Sequence, residues 1–471
     1  MVGPAVYPTG ARTRAARARR VAVTLFVAGA ATGAAGLASA RQAVADPSPW
    51  SVPAVVGGSA RPTGSFPTTA GPAGVEVGFT TAGRGLVSFP GGGVVFPTPP
   101  AKPSDSLITL AAPIDGDAAG PATQLTPAPV SHVVAVGSDS VLAALIPTGA
   151  HARPSVAAAR VGGPLGRAQA IGQQGQTIKA LVANARGDVA ALLETCAGGG
   201  GGCAVHHVFL VVRRAGGAFT KPVALVGRAD AMPPGLAIGP TGDVLVAWAA
   251  GGLGNSRLFA RIRFASRRVG PVQTLGAALT EGTISSVLSA GDHAIVAWAT
   301  AGYGLDGAFT PATFRIAVAG SGGRFGAART LQRWNMPNTY TPAPIEVAST
   351  GDGTALVAWQ GHSATGFDVD VARVDGSQVS PPELSPPGGD ATLQGLATSP
   401  AGAAIVLWSQ DGNLEAGTAM PGQPLAGPEQ VAENAGIYGA SVAFDPLTAR
   451  PLVAWYTSDE LSVAYSVRSP L

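Results

Sequence analysis

Gly242-Asp-Val-Leu-Val-Ala-Trp248 is a turn-forming pair followed by an unbroken apolar run that ends in tryptophan. It recurs as Gly291-Asp-His-Ala-Ile-Val-Ala-Trp298, Gly353-Thr-Ala-Leu-Val-Ala-Trp359, Gly402-Ala-Ala-Ile-Val-Leu-Trp408 and Arg450-Pro-Leu-Val-Ala-Trp455. The tryptophans stand 50, 61, 49 and 47 residues apart. Upstream, Gly187-Asp-Val-Ala-Ala-Leu-Leu193, Ser140-Val-Leu-Ala-Ala-Leu145 and Gly85-Leu-Val-Ser-Phe89 repeat the pattern with Leu or Phe in place of Trp. A period near 50 residues is that of the blades of a β-propeller and not of a helical solenoid.

The strands of one period can be named. In the sixth unit, Ile345-Glu-Val-Ala-Ser349 reads as the inner strand, and Ser349-Thr-Gly-Asp-Gly353 as its tight turn. Thr354–Trp359 reads as the second strand, Phe367–Val374 as the third and Val379–Leu384 as the outer one. Gly-Asp-Gly supplies the positive φ of a hairpin turn. A continuous apolar second strand fits a sheet covered on both faces by neighbouring blades. Prolines gather in the outer strand, an edge where a missing N–H costs little. The repeat tryptophans are therefore expected in the wedges between blades, and the recurrent acids Asp188, Asp243, Asp292 and Asp352 as turn-formers bonding local backbone.

The ends of the chain complete the pattern. Leu461-Ser-Val-Ala-Tyr-Ser-Val-Arg468-Ser-Pro-Leu471 stops where earlier units add a further strand such as Ala218-Phe-Thr-Lys-Pro-Val-Ala-Leu-Val226. Ser48-Pro-Trp-Ser-Val-Pro-Ala-Val-Val56 carries that missing strand, with Trp50 at the aromatic position of Phe219 and Phe325. The sequence thus predicts an all-β fold, a single closed β-propeller of four-stranded blades over residues 46–471, its ring closed by the N-terminal outer strand in the C-terminal blade. Eight second strands predict eight blades; the irregular first unit leaves seven as the alternative.

Residues 1–45 read as a secretory signal peptide. Arg12, Arg14, Arg17, Arg19 and Arg20 form a basic leader, Val21 to about Ala38 is apolar, and cleavage sites follow at Ala40 and Ala45. An uncleaved anchor is the alternative. The formal charge of +3 includes six arginines in this segment, which has no acid, so the remainder carries −3. No basic surface for nucleic acid is implied. A secreted or cell-surface monomer is expected, with no membrane span after cleavage and an extracellular protein or glycan as partner. Cys196 and Cys203, separated by Ala and six glycines, read as a disulfide closing a hairpin.

The units resemble the sialidase-like repeats (BNR type) of secreted bacterial propeller proteins, in which Val-Ala-Trp is followed by Gly-Gly-x-Phe-x-x-Pro-x-x-Leu, here Ala215-Gly-Gly-Ala-Phe-Thr-Lys-Pro-Val-Ala-Leu225. The resemblance covers nearly the whole of residues 46–471 and implies an architecture. It carries over no catalytic residue, because the Asp boxes of true sialidases are missing.

Motifs for chemistry are absent as well. There is no Gly-x-Ser-x-Gly elbow, metalloprotease helix, phosphate loop or EF-hand, and no cofactor or metal site is predicted. Asp368, Asp370 and Asp375 share a strand and its turn, a spacing that alternation alone produces often. The candidate ligand surface lies in the fifth and sixth units. A long connection, 299–312, holds Tyr303 and Asp306; an exit loop holds Arg333, Trp334, Asn335 and Tyr340; and the following unit adds His362. Exposed aromatics beside Asn and Arg suit a sugar or peptide, unless Trp334 and Tyr340 fold back to cap the ring. The reading is a non-catalytic binding propeller, with a divergent sialidase-like hydrolase or lyase as the alternative.

Overall fold

A computed structural model describes residues 48–56, 75–91, 108–126, 130–146, 152–197, 205–229, 234–251, 256–278, 281–289, 293–303, 309–334, 344–350, 353–363, 366–383, 390–433, 439–457 and 463–470. The predicted signal segment and Cys203 lie outside them. The chain forms eight antiparallel sheets. Blade 4 is typical, with an inner strand Gly235–Ile238, a second strand Val244–Ala250, a third Arg257–Arg263 and an outer strand Gln273–Ala277. Each inner strand packs beside the inner strand of the next blade, and the last, Ser441–Phe444, packs beside the first, Glu76–Phe79. The ring is closed and has eight blades. In the first, the outer position is split between Ala118–Ala119 and Thr123–Thr126, both paired with Ile108–Asp115. Among the described residues there is no helix long and apolar enough to cross a membrane.

The second strands are the core. All five repeat tryptophans, Trp248, Trp298, Trp359, Trp408 and Trp455, are buried. Each fills the wedge between adjacent sheets, as Trp298 does among Leu258, Ala260 and Leu275 of the preceding blade. Burying an indole requires a partner for its N–H. Trp298 donates to the Ala277 carbonyl at 3.3 Å and Trp359 to Gln332 Oε1 at 3.0 Å, in each case the outer strand of the blade before.

Ala54–Val56 pairs antiparallel with Val463–Val467, the third strand of blade 8, and Trp50 bridges Arg468. The same bridge joins Arg213 to Phe219 and Ala319 to Phe325, so Trp50 does occupy the repeat's aromatic position. It is 6% exposed and packs against Ile405, Leu414 and Val431 of blade 7. Its indole donates to Glu429 Oε2 at 3.1 Å, and Arg468 grips the same carboxylate at 2.6 and 2.7 Å. Burial alone would raise the Glu429 carboxyl, but the Arg468 guanidinium outweighs it and holds the group below its ordinary range.

Three local expectations are corrected. Residues 299–312 are not one long loop. The second and third strands of blade 5 run through much of them as Ala294–Tyr303 and Phe309–Ala319, with Tyr303 opposite Phe309. Thr300, Thr310 and Thr313 are β-formers that favour this extension. Arg333 and Trp334 end the outer strand Arg329–Trp334 and are not in the exit loop, and His362 lies within Ala355–Ser363. Asp188 does more than shape its own turn. It is buried and accepts from the Ala215 N–H at 3.0 Å and from Arg214 at 3.1 Å, tying the next hairpin turn of the same sheet to its own.

Trp50→Ala is expected to destabilise the protein by about 3–5 kcal/mol, the usual cost of truncating a buried aromatic. It should also raise amide exchange in Val463–Val467. Unchanged exchange there, with a full-length chain and an unshifted denaturation midpoint, would refute closure by the N-terminal strand.

Candidate functional site

The inner strands begin, and the second strands end, on one rim, here called the upper face. An inner strand pairs on one side only, so N–H groups on its other edge need a partner. The neighbouring blade supplies one. Glu76 accepts from Val133 of the next blade at 3.1 Å, Ser285 from Val347 at 3.0 Å, Gln394 from Ala440 at 3.4 Å and Ser441 from Val77 at 3.3 Å. Glu346 accepts likewise from Leu396. These side chains share one repeat position, just past the residue opposite the second-strand tryptophan or its substitute. The ring is stitched in one direction. In blade 4 that position is Gly235, where a Cβ would press within 2.8 Å of Ile284 on the next strand.

This polar belt gathers ionisable groups that the repeat pattern concealed. Burial pushes the carboxyls of Glu76 and Glu346 up to about 7, against the smaller effect of their backbone hydrogen bonds. His132 Nδ1 stands 4.0 Å from Glu76. Burial lowers its pKa, a bond to the Lys179 backbone opposes that, and the Lys179 charge lowers it further. Lys179 is the extra residue of a β-bulge between Ile178 and Ala180, an irregularity that re-aims a side chain. Its ammonium, also lowered by burial, lies 2.9 Å from Glu194, whose other oxygen meets His206 Nδ1. Lys179 and Glu194 line a narrow crevice against Pro234 and Trp248 of blade 4. A lysine, a carboxylate and an imidazole in series can orient and relay a proton.

The predicted surface occupies the same face at blades 5 and 6. Tyr303 ends the second strand and Trp334 the outer strand of blade 5, while His362 lies one residue from the end of the second strand of blade 6. Strand direction thus brings these three positions to one rim. Arg333 is exposed beside them. Asp306, Asn335 and Tyr340 lie outside the described residues. Beneath the rim are two carboxylates on one face of the third strand of blade 6, Asp368 and Asp370, both less than a tenth exposed. Burial and then the Asp368 charge push Asp370 up to about 6, while a bond from Gln332 of blade 5 opposes them. Gly361 makes room, since a Cβ there would collide with the Asp370 carboxylate. Among the described residues no cluster of three or more His, Cys, Asp or Glu could hold a metal ion.

No family model matches this chain, and no curated protein matches it. Solved structures are similar in fold. The BP39L lectin from Burkholderia pseudomallei aligns at 12% identity with a TM-score of 0.49, over 78% of this chain and 100% of that one. A PL25 ulvan lyase aligns at 12% identity and TM-score 0.41, over 72% and 91%. The NanB sialidase from Streptococcus pneumoniae aligns at 10% identity and TM-score 0.36, over 89% and 70%. At these identities the likeness concerns the fold alone.

The raised carboxyls predict an inverted pH dependence of stability. Glu76 and Glu346 titrate near 7 in the folded chain and near 4.5 unfolded, so the folded state binds more protons between those values. Stability should fall as pH rises through that window. The double variant Glu76→Gln, Glu346→Gln keeps the acceptor oxygens and should flatten this part of the profile in thermal unfolding. A wild-type slope in the variant would contradict the assignment.

Proposed function

We propose that this chain is an exported propeller that binds an extracellular glycan or protein through the upper face of blades 5 and 6, without turning it over. The observation that carries the reading is the lengthened hairpin of blade 5, with strands of 10 and 11 residues where blade 4 has 7 and 7. Tyr303, Trp334 and His362 fall at strand ends on that rim, next to exposed Arg333 and above the Asp368–Asp370 pair. Aromatic and guanidinium groups together suit sugar hydroxyls or a peptide. Residues 1–45 supply the export signal in this reading, and Cys196–Cys203 close the hairpin of blade 3 as a disulfide. Each is an independent expectation: one is checked by the N-terminus of exported protein, the other by thiol labelling without reductant.

A second reading, a divergent hydrolase or lyase, is favoured by one observation. Toward the upper face, blades 1 to 3 carry Glu76 beside His132, and Lys179 beside Glu194 and His206, ionisable groups in contact that a purely structural junction would not use.

Glycan-array screening of the exported protein separates the two. The binding reading expects retention without product, and Trp334→Ala and Tyr340→Ala each weakening the best binder at least about tenfold with an unshifted melting temperature. Unchanged affinity in both variants would remove this surface from consideration. Product release that is abolished by Glu194→Gln would establish the enzymatic reading instead.

A further inference from the structure

The repeat position that closes the third strand is Arg468 in blade 8 and Arg213 in blade 3, each bridged to the aromatic of its outer strand, Trp50 or Phe219. Their surroundings differ in one respect. Arg468 is neutralised by Glu429 of the preceding blade at 2.6 Å. Arg213 lies over the Phe219 ring, 5.4 Å from its centroid, and its Nε is buried with no partner among the described residues. A groove of about 330 Å³, lined on one side by Arg213, opens between blades 2 and 3 on the lower face, opposite the rim described above.

The groove is built from three kinds of group. Arg213 and Arg186 supply two guanidinium groups; Arg186, its side chain 60% exposed, also stands 3.9 Å from Asp188 and donates to the Thr241 carbonyl at 3.3 Å. Val136 and Leu142 supply an apolar floor, and the turns at Gly137 and Gly216 supply main chain. Both glycines have positive φ, and a Cβ on either would meet nothing within 4 Å, so the turns leave the groove open. No acidic residue lines it. Of the neighbouring acids, Asp188 is 1% exposed and already bound by Ala215, Asn184, Arg214 and Arg186, and Asp139, in the turn between Gly137 and Ser140, pairs with Arg84 and Arg160. A guanidinium half out of water needs an acceptor, and its planar fork matches an oxyanion.

We propose that this groove is an oxyanion site that takes a monosaccharide-sized ligand carrying a carboxylate or sulfate group. The volume is that of a small-molecule pocket. The ligand's anionic group pairs with the Arg213 guanidinium, and its ring covers Val136 and Leu142. The site is separate from the upper face of blades 5 and 6 and does not depend on the function proposed there.

Titration calorimetry on the full chain tests it, with sodium sulfate, galacturonic acid and galactose as probes. Saturable binding of sulfate or galacturonate, and none of galactose, is expected. Arg213→Gln should weaken the anion at least about tenfold, the effect of losing a charged hydrogen bond, and Arg186→Gln should weaken it less. Trp334→Ala should leave it unchanged. Sulfate alone identifies a sulfated ligand and galacturonate alone a carboxylated one; either supports the site. Absence of saturable binding of both anions, or undiminished affinity in Arg213→Gln, overturns it. Should Arg213→Gln fail to fold, exposed Arg186→Gln carries the same test.

Discussion

An eight-bladed ring leaves the free edge of every inner strand facing its centre, and the rest of this structure follows from how that edge is satisfied. Main-chain N–H groups cannot be buried alone. Among the described residues, the chain answers at five of the eight junctions with a side-chain oxygen, from Glu76, Ser285, Glu346, Gln394 or Ser441, each reaching forward to the next blade. Two of these are carboxyls pushed up to about 7. The device that holds the ring thereby installs proton-binding groups along its wall.

The wedges between sheets pose a second problem, of volume instead of polarity. Adjacent blades diverge outward, and a flat, large side chain at the end of the second strand fills the gap. Indole serves because its N–H can reach the outer strand of the preceding blade, as from Trp359 to Gln332. In blade 8 the outer position is filled by Ala54–Val56. The N-terminal strand supplies both the missing edge and, through Trp50, Glu429 and Arg468, a clasp to blade 7. Closure is thus a packing and electrostatic event as well as a matter of strand pairing.

The two faces of the ring differ in chemistry. Acids cluster on the upper face, as Glu76, Glu194, Glu346, Asp368 and Asp370. Arg186, Arg213 and Arg214 gather at the turns below blade 3, where Asp188 is enclosed by its own bonds. The lower turns also carry Asp139, Asp243 and Asp445, each paired with an arginine or with local backbone.

The sequence by itself determined the repeat, the strand order, the buried tryptophans and the closing strand, because those depend on periodicity and on local turn chemistry; it left eight blades or seven, and the structure decided for eight. The extended hairpin of blade 5 was legible only in part: glycines in 299–312 suggested a loop, while Thr300, Thr310 and Thr313 paired in the sheet. Tertiary structure alone decided the polar belt and the two guanidinium-lined turns. Glu346 stands in plain view in Ile345-Glu-Val, yet its partner Leu396 lies 50 residues on, and nothing in either stretch announces the other. Lys179, Glu194 and His206 come from three different strands and meet only because a bulge turns the lysine toward the acid. Period and pattern fix which residues face a neighbour; what that neighbour offers them is set by the curvature of the ring.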